Sequence, residues 1–346
     1  MPYSQKMDTE SRGSSFFKGF AAIAGTVVAS VALRGELLLI VAHILKLLGH
    51  VPKVNDENLP IQSKDVANAS ILNNQSSEIE QKGMFNNFGY YWMISVGISL
   101  VSYFTMSGYY QWAYYIRQKD CPEKWKCQPD RWLSAYNEKH AVVMGTINMF
   151  IGGTQSSILV CYIMNGRETA LYYTLGQHGW LWEIVSVPLL FLTMDMFLFY
   201  SHKTLHHPLP YKYIHKWHHR YHSPTAFSAL AMHPIEMIMH STALESPAFL
   251  IPTHAGTFIF CLLYVYYYGI ISHSGIMIES IWPWQPHSIF HDDHHKYFHC
   301  NFGFNTKLFD WLHGTIRRTD RLYTEDTFGG QGKIPVENSK EDKKSE

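Results

Sequence analysis

The sequence predicts an all-α integral membrane protein with four or more transmembrane helices and a cytosolic, histidine-rich helical cap. Two observations carry this prediction. Long apolar runs without charge recur along the 346-residue chain, and each is close to the roughly 20 residues that cross a bilayer. Histidines are also concentrated, because 17 of the 21 lie between His202 and His313. The formal net charge is zero, which argues against a nucleic-acid-binding protein.

Residues 1–88 are predicted to form an N-terminal membrane or interfacial segment followed by a lumenal loop. The stretch 16–48 is mostly apolar, but four charged residues interrupt it. It could be one tilted span, or a short span followed by an interfacial helix. The following stretch 51–88 is polar and contains two short glycosylation sequons.

The next three apolar runs are predicted to be transmembrane helices. No charged side chain occurs in Gly89–Ile116 or in Ala141–Asn165, and Trp180–Tyr200 contains only Glu183 and Asp195. Tyrosine and tryptophan crowd the ends of these runs, as in the aromatic belts at membrane interfaces.

Charge in the loops predicts the orientation of the chain. The loop 117–140 carries six lysines and arginines, so the positive-inside rule places it in the cytosol. The spans 141–165 and 180–200 then form a hairpin that returns His202 to the cytosolic side. The apolar stretch 234–272 has histidines on both flanks. It must therefore cross an even number of times, as a tight proline-broken hairpin, or not at all.

The spacing of the histidines is more informative than their number. Residues at i, i+3 and i+4 lie on one face of a helix, and neutral imidazole is the commonest metal-binding side chain. One pair and two identical H-x-x-H-H trios show this spacing: His202 and His206; His215, His218 and His219; His291, His294 and His295. His240, His254 and His313 lie outside every repeated spacing, and they are predicted not to be ligands.

This number of imidazoles predicts two metal ions. One zinc ion takes four ligands in a structural site and three in a catalytic site, which is fewer than the sequence supplies. Imidazole alone does not identify the metal, but a site poor in carboxylates and close to the membrane suits O2 activation by non-haem iron. Asp195 lies two helical turns before His202 on the same face. We expect it to orient a ligand imidazole from the second shell.

The chain resembles the fatty acid hydroxylase/sterol desaturase superfamily of membrane di-iron enzymes. The resemblance covers roughly residues 140–320. It is carried by the boxes His202-Lys-Thr-Leu-His206-His207-Pro, His215-Lys-Trp-His218-His219 and His291-Asp-Asp-His294-His295. The first box and its spacing to the second are closest in motif to the sterol C-5 desaturase branch. His233-Pro234 and His273-Ser-Gly275 are similar to further landmarks of the family.

The resemblance implies a set of site residues and partners. The metal ligands would be His202, His206, His207, His215, His218, His219, His273, His291, His294 and His295. His206 and His207 are alternatives, because some members of the family have an H-x-x-x-x-H first box. Supporting roles would fall to His222, His233 and His299. The cofactors would be two Fe ions, with zinc possible in purified protein, and O2 as co-substrate. Electrons would come from cytochrome b5 and its NADH-dependent reductase.

Residues 89–320 are therefore predicted to be the catalytic domain and 321–346 a polar cytosolic tail, disordered from Glu325. Lys343-Lys344 resembles a di-lysine retrieval signal, which predicts an endoplasmic reticulum membrane protein with its metal site and C-terminus in the cytosol. The predicted function is O2-dependent hydroxylation or desaturation of a membrane lipid, either a sterol or a fatty acyl or sphingolipid chain. The alternative is a histidine-rich membrane protein that binds or transports metal without redox catalysis.

Overall fold

The computed structural model describes residues 83–280 and 282–335. The apolar stretch 16–48, the two sequons and Lys343-Lys344 lie outside these residues. The described part is helical, as predicted, apart from two short strands that pair in parallel. In chain order, its first elements are α1 (Phe88–Tyr110) with a π-helical turn (Gln111–Ile116), a 3-10 turn (Pro122–Lys124), α2 (Ala135–Met164), β1 (Leu171–Tyr172) and α3 (Trp180–Leu205).

The histidine-bearing half consists of shorter elements. A nearly continuous helical run follows α3. It is made of α4 (Pro208–Pro210), a π-helical turn (Tyr211–His215) and α5 (Lys216–His219). The remaining elements are a 3-10 turn (Ala226–Leu230), α6 (Pro234–Glu245), a 3-10 turn (Ser246–Phe249), β2 (Thr253–His254), α7 (Ala255–Ser272), α8 (Ser288–Tyr297) and α9 (Leu308–His313).

Three of the described helices, α2, α3 and α7, are long and apolar enough to cross a membrane. Helix α1 forms in the charge-free run Gly89–Ile116, which was also predicted to span the membrane, but it is not among these three helices. The predicted hairpin in 234–272 contains α6 and α7. Because α6 has 12 residues, it is about 18 Å long, well short of the about 30 Å hydrocarbon core. Among the described helices, the prediction of four or more spans is thus supported for three.

Small residues let α1 and α2 approach closely. A side chain at Gly145 would overlap the hydroxyl of Tyr103, which donates a hydrogen bond to the carbonyl of Phe227 at 2.8 Å. About two turns further along α2, a Cβ at Gly153 would come within 2.9 Å of the Cα of Val96. The close contact brings the 3-10 turn at Ala226–Leu230 against both helices.

The basic loop 117–140 is joined to the segment that follows α7. Gly275 has a φ of 68°, and a Cβ there would overlap the carbonyl of Pro224; only glycine satisfies both constraints without strain. Its own carbonyl accepts from the amide of Cys127 at 2.8 Å. The neighbouring Lys126 is buried and bonds Ser223 at 2.5 Å. Five of the six loop cations used to predict orientation are exposed, and Lys126 is not.

Candidate metal centre

The described residues contain two groups of buried histidines whose ring nitrogens converge. Within each group the candidate ligand atoms lie within 4.8 Å of one another. Site A consists of His202, His206, His215, His219 and His294, and site B consists of His218, His273, His291 and His295. The structure thus brings together nine of the ten ligands predicted from the sequence, and it includes His273, which no spacing argument identifies.

The two H-x-x-H-H trios do not each point at one ion. His215 and His219 belong to site A, whereas His218 between them belongs to site B. In the second trio, His291 and His295 belong to site B and the middle residue belongs to site A. Residues four apart on a helix differ by about 40° in direction, and consecutive residues by about 100°. Each i, i+4 pair therefore stays together, and each middle histidine reaches the other site.

Hydrogen bonds at Nδ1 fix which nitrogen is free in several of these rings. His202 Nδ1 donates to the carbonyl of Phe302 at 2.7 Å, and His215 Nδ1 lies 2.7 Å from Glu236 Oε1. In the neutral rings both Nε2 atoms therefore carry lone pairs, yet they face each other at 3.1 Å. Two lone pairs at this distance repel unless a cation lies between them. The donor set of site A consequently fits a metal ion.

Site B and the fifth ligand of site A show the same arrangement. His273 Nδ1 donates to the carbonyl of Gly269 at 2.7 Å, and its Nε2 lies 3.1 Å from that of His218 and 2.8 Å from that of His291. His294 Nδ1 donates to the carbonyl of Cys300 at 2.7 Å. Its Nε2 is buried and has no hydrogen-bond partner among the described residues.

The spacing of these nitrogens also suits coordination. Two imidazole nitrogens about 2.0–2.1 Å from a metal, at angles between octahedral and tetrahedral values, are about 2.9–3.4 Å apart. The Nε2 pairs of His202 with His215 and of His206 with His219 are 3.1 and 3.3 Å apart. Nine imidazoles in two groups match the predicted binuclear site.

Lowered pKa values in these clusters favour metal binding over protonation. Burial lowers the pKa of His218 to about 4, although the nearby Glu236 opposes the shift. Burial and the neighbouring His294 also lower the pKa of His219 well below its usual value. Imidazoles that stay neutral at physiological pH keep a lone pair available for a metal.

Glu236 is the carboxylate that bonds a histidine of site A, and the sequence did not predict this contact. It is 1% exposed and bonds His215 at 2.7 Å. Burial alone would raise its pKa, but the interaction and hydrogen bond with His215 hold the pKa below its usual value. Its sequence signal was an acidic residue in an apolar stretch. Helix α6 places it, since Pro234 begins the helix and His233 Nδ1 accepts from the amide of Ile235 at 3.2 Å.

Asp195 does not orient an imidazole directly, which corrects the prediction. Its carboxylate accepts from the amide of Asn305 at 3.0 Å and from the hydroxyl of Thr306 at 2.6 Å. Asp195 therefore supports the loop whose Phe302 carbonyl accepts from His202. The two-turn spacing between Asp195 and His202 predicted a contact with the imidazole. The Asp195 side chain instead contacts a loop from a distant part of the chain.

The supporting histidines have different positions. His207 is exposed and belongs to neither site, so the structure brings His206 to the centre instead. His222 is also exposed, and His233 caps α6. His299 is buried and contacts a ligand, because its Nδ1 lies 3.0 Å from that of His206 while its Nε2 donates to the carbonyl of Glu325 at 2.6 Å.

The three histidines predicted not to be ligands are absent from both groups. His254 caps α7 through a bond from the amide of Gly256 at 3.2 Å, and His313 lies 3.1 Å from the hydroxyl of Tyr200. His240 differs from these two, because it is buried and its Nε2 lies 3.7 Å from Glu236 Oε1.

The segment 321–335 differs from the predicted disordered tail. Leu322 and Lys333 exchange backbone hydrogen bonds at 2.9 Å. Glu325 bonds Lys216 at 2.8 Å, and Phe328 packs on His299 with ring centroids 4.2 Å apart. The boundary predicted at 321 therefore falls before a segment that covers site A. The packing of Phe328 on His299 and the hydrogen bond from His299 to the carbonyl of Glu325 hold this segment in place despite its polar composition.

An apolar cavity of about 230 Å³ adjoins site B. Helices α1, α2, α6 and α7 form its walls. His240, His273 and Phe304 line it at the metal centre, and the Phe304 ring packs over His291 with centroids 5.2 Å apart. The cavity is bounded by Ile98 and Leu263, which are also 59% and 54% exposed on the outer surface.

Fold and site together define a helical protein with membrane-length helices and two adjoining histidine clusters that could hold metal ions. Residues 187–315 match the fatty acid hydroxylase family model, so the resemblance to the fatty acid hydroxylase/sterol desaturase superfamily is confirmed. The matched segment begins in α3 and includes every residue of sites A and B.

Named relatives agree with this assignment. The chain is 32% identical over 146 residues to a Delta(7)-sterol 5(6)-desaturase of Gibberella zeae, covering 42% of this chain and 44% of the relative. It is 32% identical to the lathosterol oxidases of Mus musculus over 151 residues and of Homo sapiens over 169 residues. These matches cover 42% and 47% of this chain and 50% and 54% of the relatives. The chain thus spans about half the length of these relatives. No solved structure matches it.

Proposed function

We propose that the protein is a membrane-bound, O2-dependent oxidoreductase that hydroxylates or desaturates a lipid, with a sterol as the favoured substrate. One observation carries the proposal: two groups of converging, buried imidazoles lie beside an apolar cavity between membrane-length helices. The relatives named as sterol desaturases and lathosterol oxidases support the same reaction class.

Sites A and B would hold two iron ions, which supply the O2 activation needed to break an unactivated C–H bond. Zinc could occupy the same imidazoles in purified protein. The residues of the chain have definite tasks around that chemistry. Acceptors at Nδ1 keep the rings of His215 and His202 in one tautomer with Nε2 directed inward: Glu236 for the first and the carbonyl of Phe302 for the second.

The cavity would position the substrate. Its lining is mostly apolar, so it suits a hydrocarbon body rather than a charged group. His273 contributes both to the cavity lining and to site B. A carbon bound at this end of the cavity would therefore lie next to site B, and the ring of Phe304 would keep water away from it. The exposed outer side of the wall suits lateral entry from the bilayer.

Electron supply and location extend the proposal. We infer that cytochrome b5 and its NADH-dependent reductase deliver electrons from the cytosol, and that the protein resides in the endoplasmic reticulum membrane. The exposed cations of loop 117–140 support a cytosolic position for the metal centre. Four or more spans would then carry a cytosolic histidine-rich cap.

Reconstitution tests the proposal directly. Purified full-length chain, loaded with iron, would be incubated in vesicles with lathosterol, O2, NADH, cytochrome b5 and its reductase. Products would be identified by mass spectrometry, with His294→Ala as the control that lacks one nitrogen of site A. Oxidation of a lipid by the wild type alone supports the proposal. If iron binds at two sites but neither sterols nor fatty acyl or sphingoid lipids are oxidised, the metal-binding or transport alternative replaces it.

A further inference from the structure

The apolar cavity contains a small polar group away from the metal ligands. It consists of Ser156 in α2 together with Ser241 and Glu245 in α6, and all three side chains line the cavity. We propose that this group binds a hydroxyl of the lipid substrate, so that the protein selects a free lipid alcohol over its ether or ester. The proposal rests on the proposed function and assigns a positioning role to residues outside the metal centre.

The geometry of α6 brings two of these side chains together. Ser241 and Glu245 are four residues apart, so they lie on one face of the helix. Glu245 Oε1 accepts from the hydroxyl of Ser156 at 2.6 Å, and Oε2 accepts from Gln155 Nε2 at 3.3 Å. Gly152, one turn before Ser156, accommodates the side chain of Met237, which a Cβ at that position would overlap.

Glu245 is unusual for a side chain in such a lining. It is 9% exposed, and among the described residues no lysine, arginine or histidine lies within ion-pair distance of it. A carboxyl group buried without a cation costs free energy. A carboxylate has about four acceptor positions, and the protein fills two of them.

Ser241 provides a second and independent observation. It is 8% exposed, and its hydroxyl has no hydrogen-bond partner within the part of the chain that the structure describes. Because Ser241 lines the cavity, a polar group bound there would satisfy its hydroxyl. A ligand hydroxyl placed between the two side chains would donate to Glu245 and accept from Ser241, which satisfies both.

The polar group is separate from the metal centre. His240, at the metal-centre end of the cavity, precedes Glu245 by five residues, which is about 7.5 Å along the helix axis. A lipid with its hydroxyl at Glu245 could therefore extend its apolar body towards His273. The sterol 3-hydroxyl and the primary hydroxyl of a ceramide share this chemistry, and the test separates them.

Binding measurements on metal-loaded, full-length protein in nanodiscs test the inference. The probes are lathosterol with its 3-O-methyl ether, and a ceramide with its 1-O-methyl ether. A hydrogen bond to a charged acceptor predicts a preference of about 10–100-fold for the free alcohol in one pair. Glu245→Leu should abolish the preference, Glu245→Gln should retain part of it through its carbonyl, and Ser241→Ala should reduce it. Leu262→Ala, in the same wall, should weaken both members of a pair equally.

The outcomes are distinct. Equal affinity within both pairs, no binding of any probe, or a preference that survives in Glu245→Leu overturns the inference. If Glu245→Leu does not bind metal, which would indicate that it has not folded, the test rests on Glu245→Gln and Ser241→Ala. An unchanged preference in both of these variants overturns the inference. Oxidation of lipid by a wild type without the preference leaves the proposed function standing. A wild type with the preference but without oxidation refutes only the proposed function.

Discussion

Replacement of Glu236 should weaken metal binding at site A and leave site B unchanged. Its Oε1 bonds His215 of site A at 2.7 Å, and no ligand of site B forms a hydrogen bond with it in the described part of the chain. Glu236→Ala removes the acceptor from a buried N–H and leaves a void. The expected result is selective loss of metal from site A, from about two ions per chain to about one.

The magnitude follows from the type of hydrogen bond. Bonds to charged groups contribute about 1.5–3 kcal/mol and neutral ones about 0.5–1.5 kcal/mol. Glu236→Gln keeps a carbonyl acceptor for His215, so it should cost about 1–1.5 kcal/mol, or about tenfold in affinity for one ion. Glu236→Ala loses the bond entirely, so the loss of metal affinity should reach or exceed about 100-fold, the upper end of the range for residues that orient metal ligands.

Elemental analysis after dialysis against graded chelator measures these affinities. Glu245→Gln is the matched control, because it alters the other buried carboxylate of α6 and contacts no ligand histidine. It should keep both ions. The reasoning is refuted if Glu236→Ala also keeps both ions at the same chelator concentration, or if the two ions are lost together with the same midpoint.

Three further predictions concern the ligands and the topology. The wild type should bind two metal ions per chain, and elemental analysis showing one ion with all histidines intact would contradict a binuclear site. His218→Ala and His294→Ala should each lose one ion, from sites B and A respectively, and both should abolish lipid product, whereas His254→Ala and His313→Ala should retain product when normalised to protein level. Tags in 117–140 and 202–233 should both be cleaved by protease on sealed microsomes; protection of one alone would exclude a shared cytosolic face.

The sequence determined the helices and most of the ligands. Charge-free runs such as Ala141–Asn165 predict long apolar helices because spanning a bilayer demands length and hydrophobicity within one segment. The i, i+4 pairs, such as His215 with His219, predict shared ligation because helical geometry is local. These properties depend on neighbours in the chain, so they can be read without the fold.

Only the tertiary structure decided how the ligands divide and what holds them. His218 leaves its own trio for site B because the ring of His273, 55 residues away, converges on it there. Asp195 bonds a loop 110 residues away instead of an imidazole. The carboxylate that bonds an imidazole is Glu236, not Asp195 as the sequence predicted. Contacts between distant segments depend on how helices pack, and the spacing of residues within one segment carries no information about that packing.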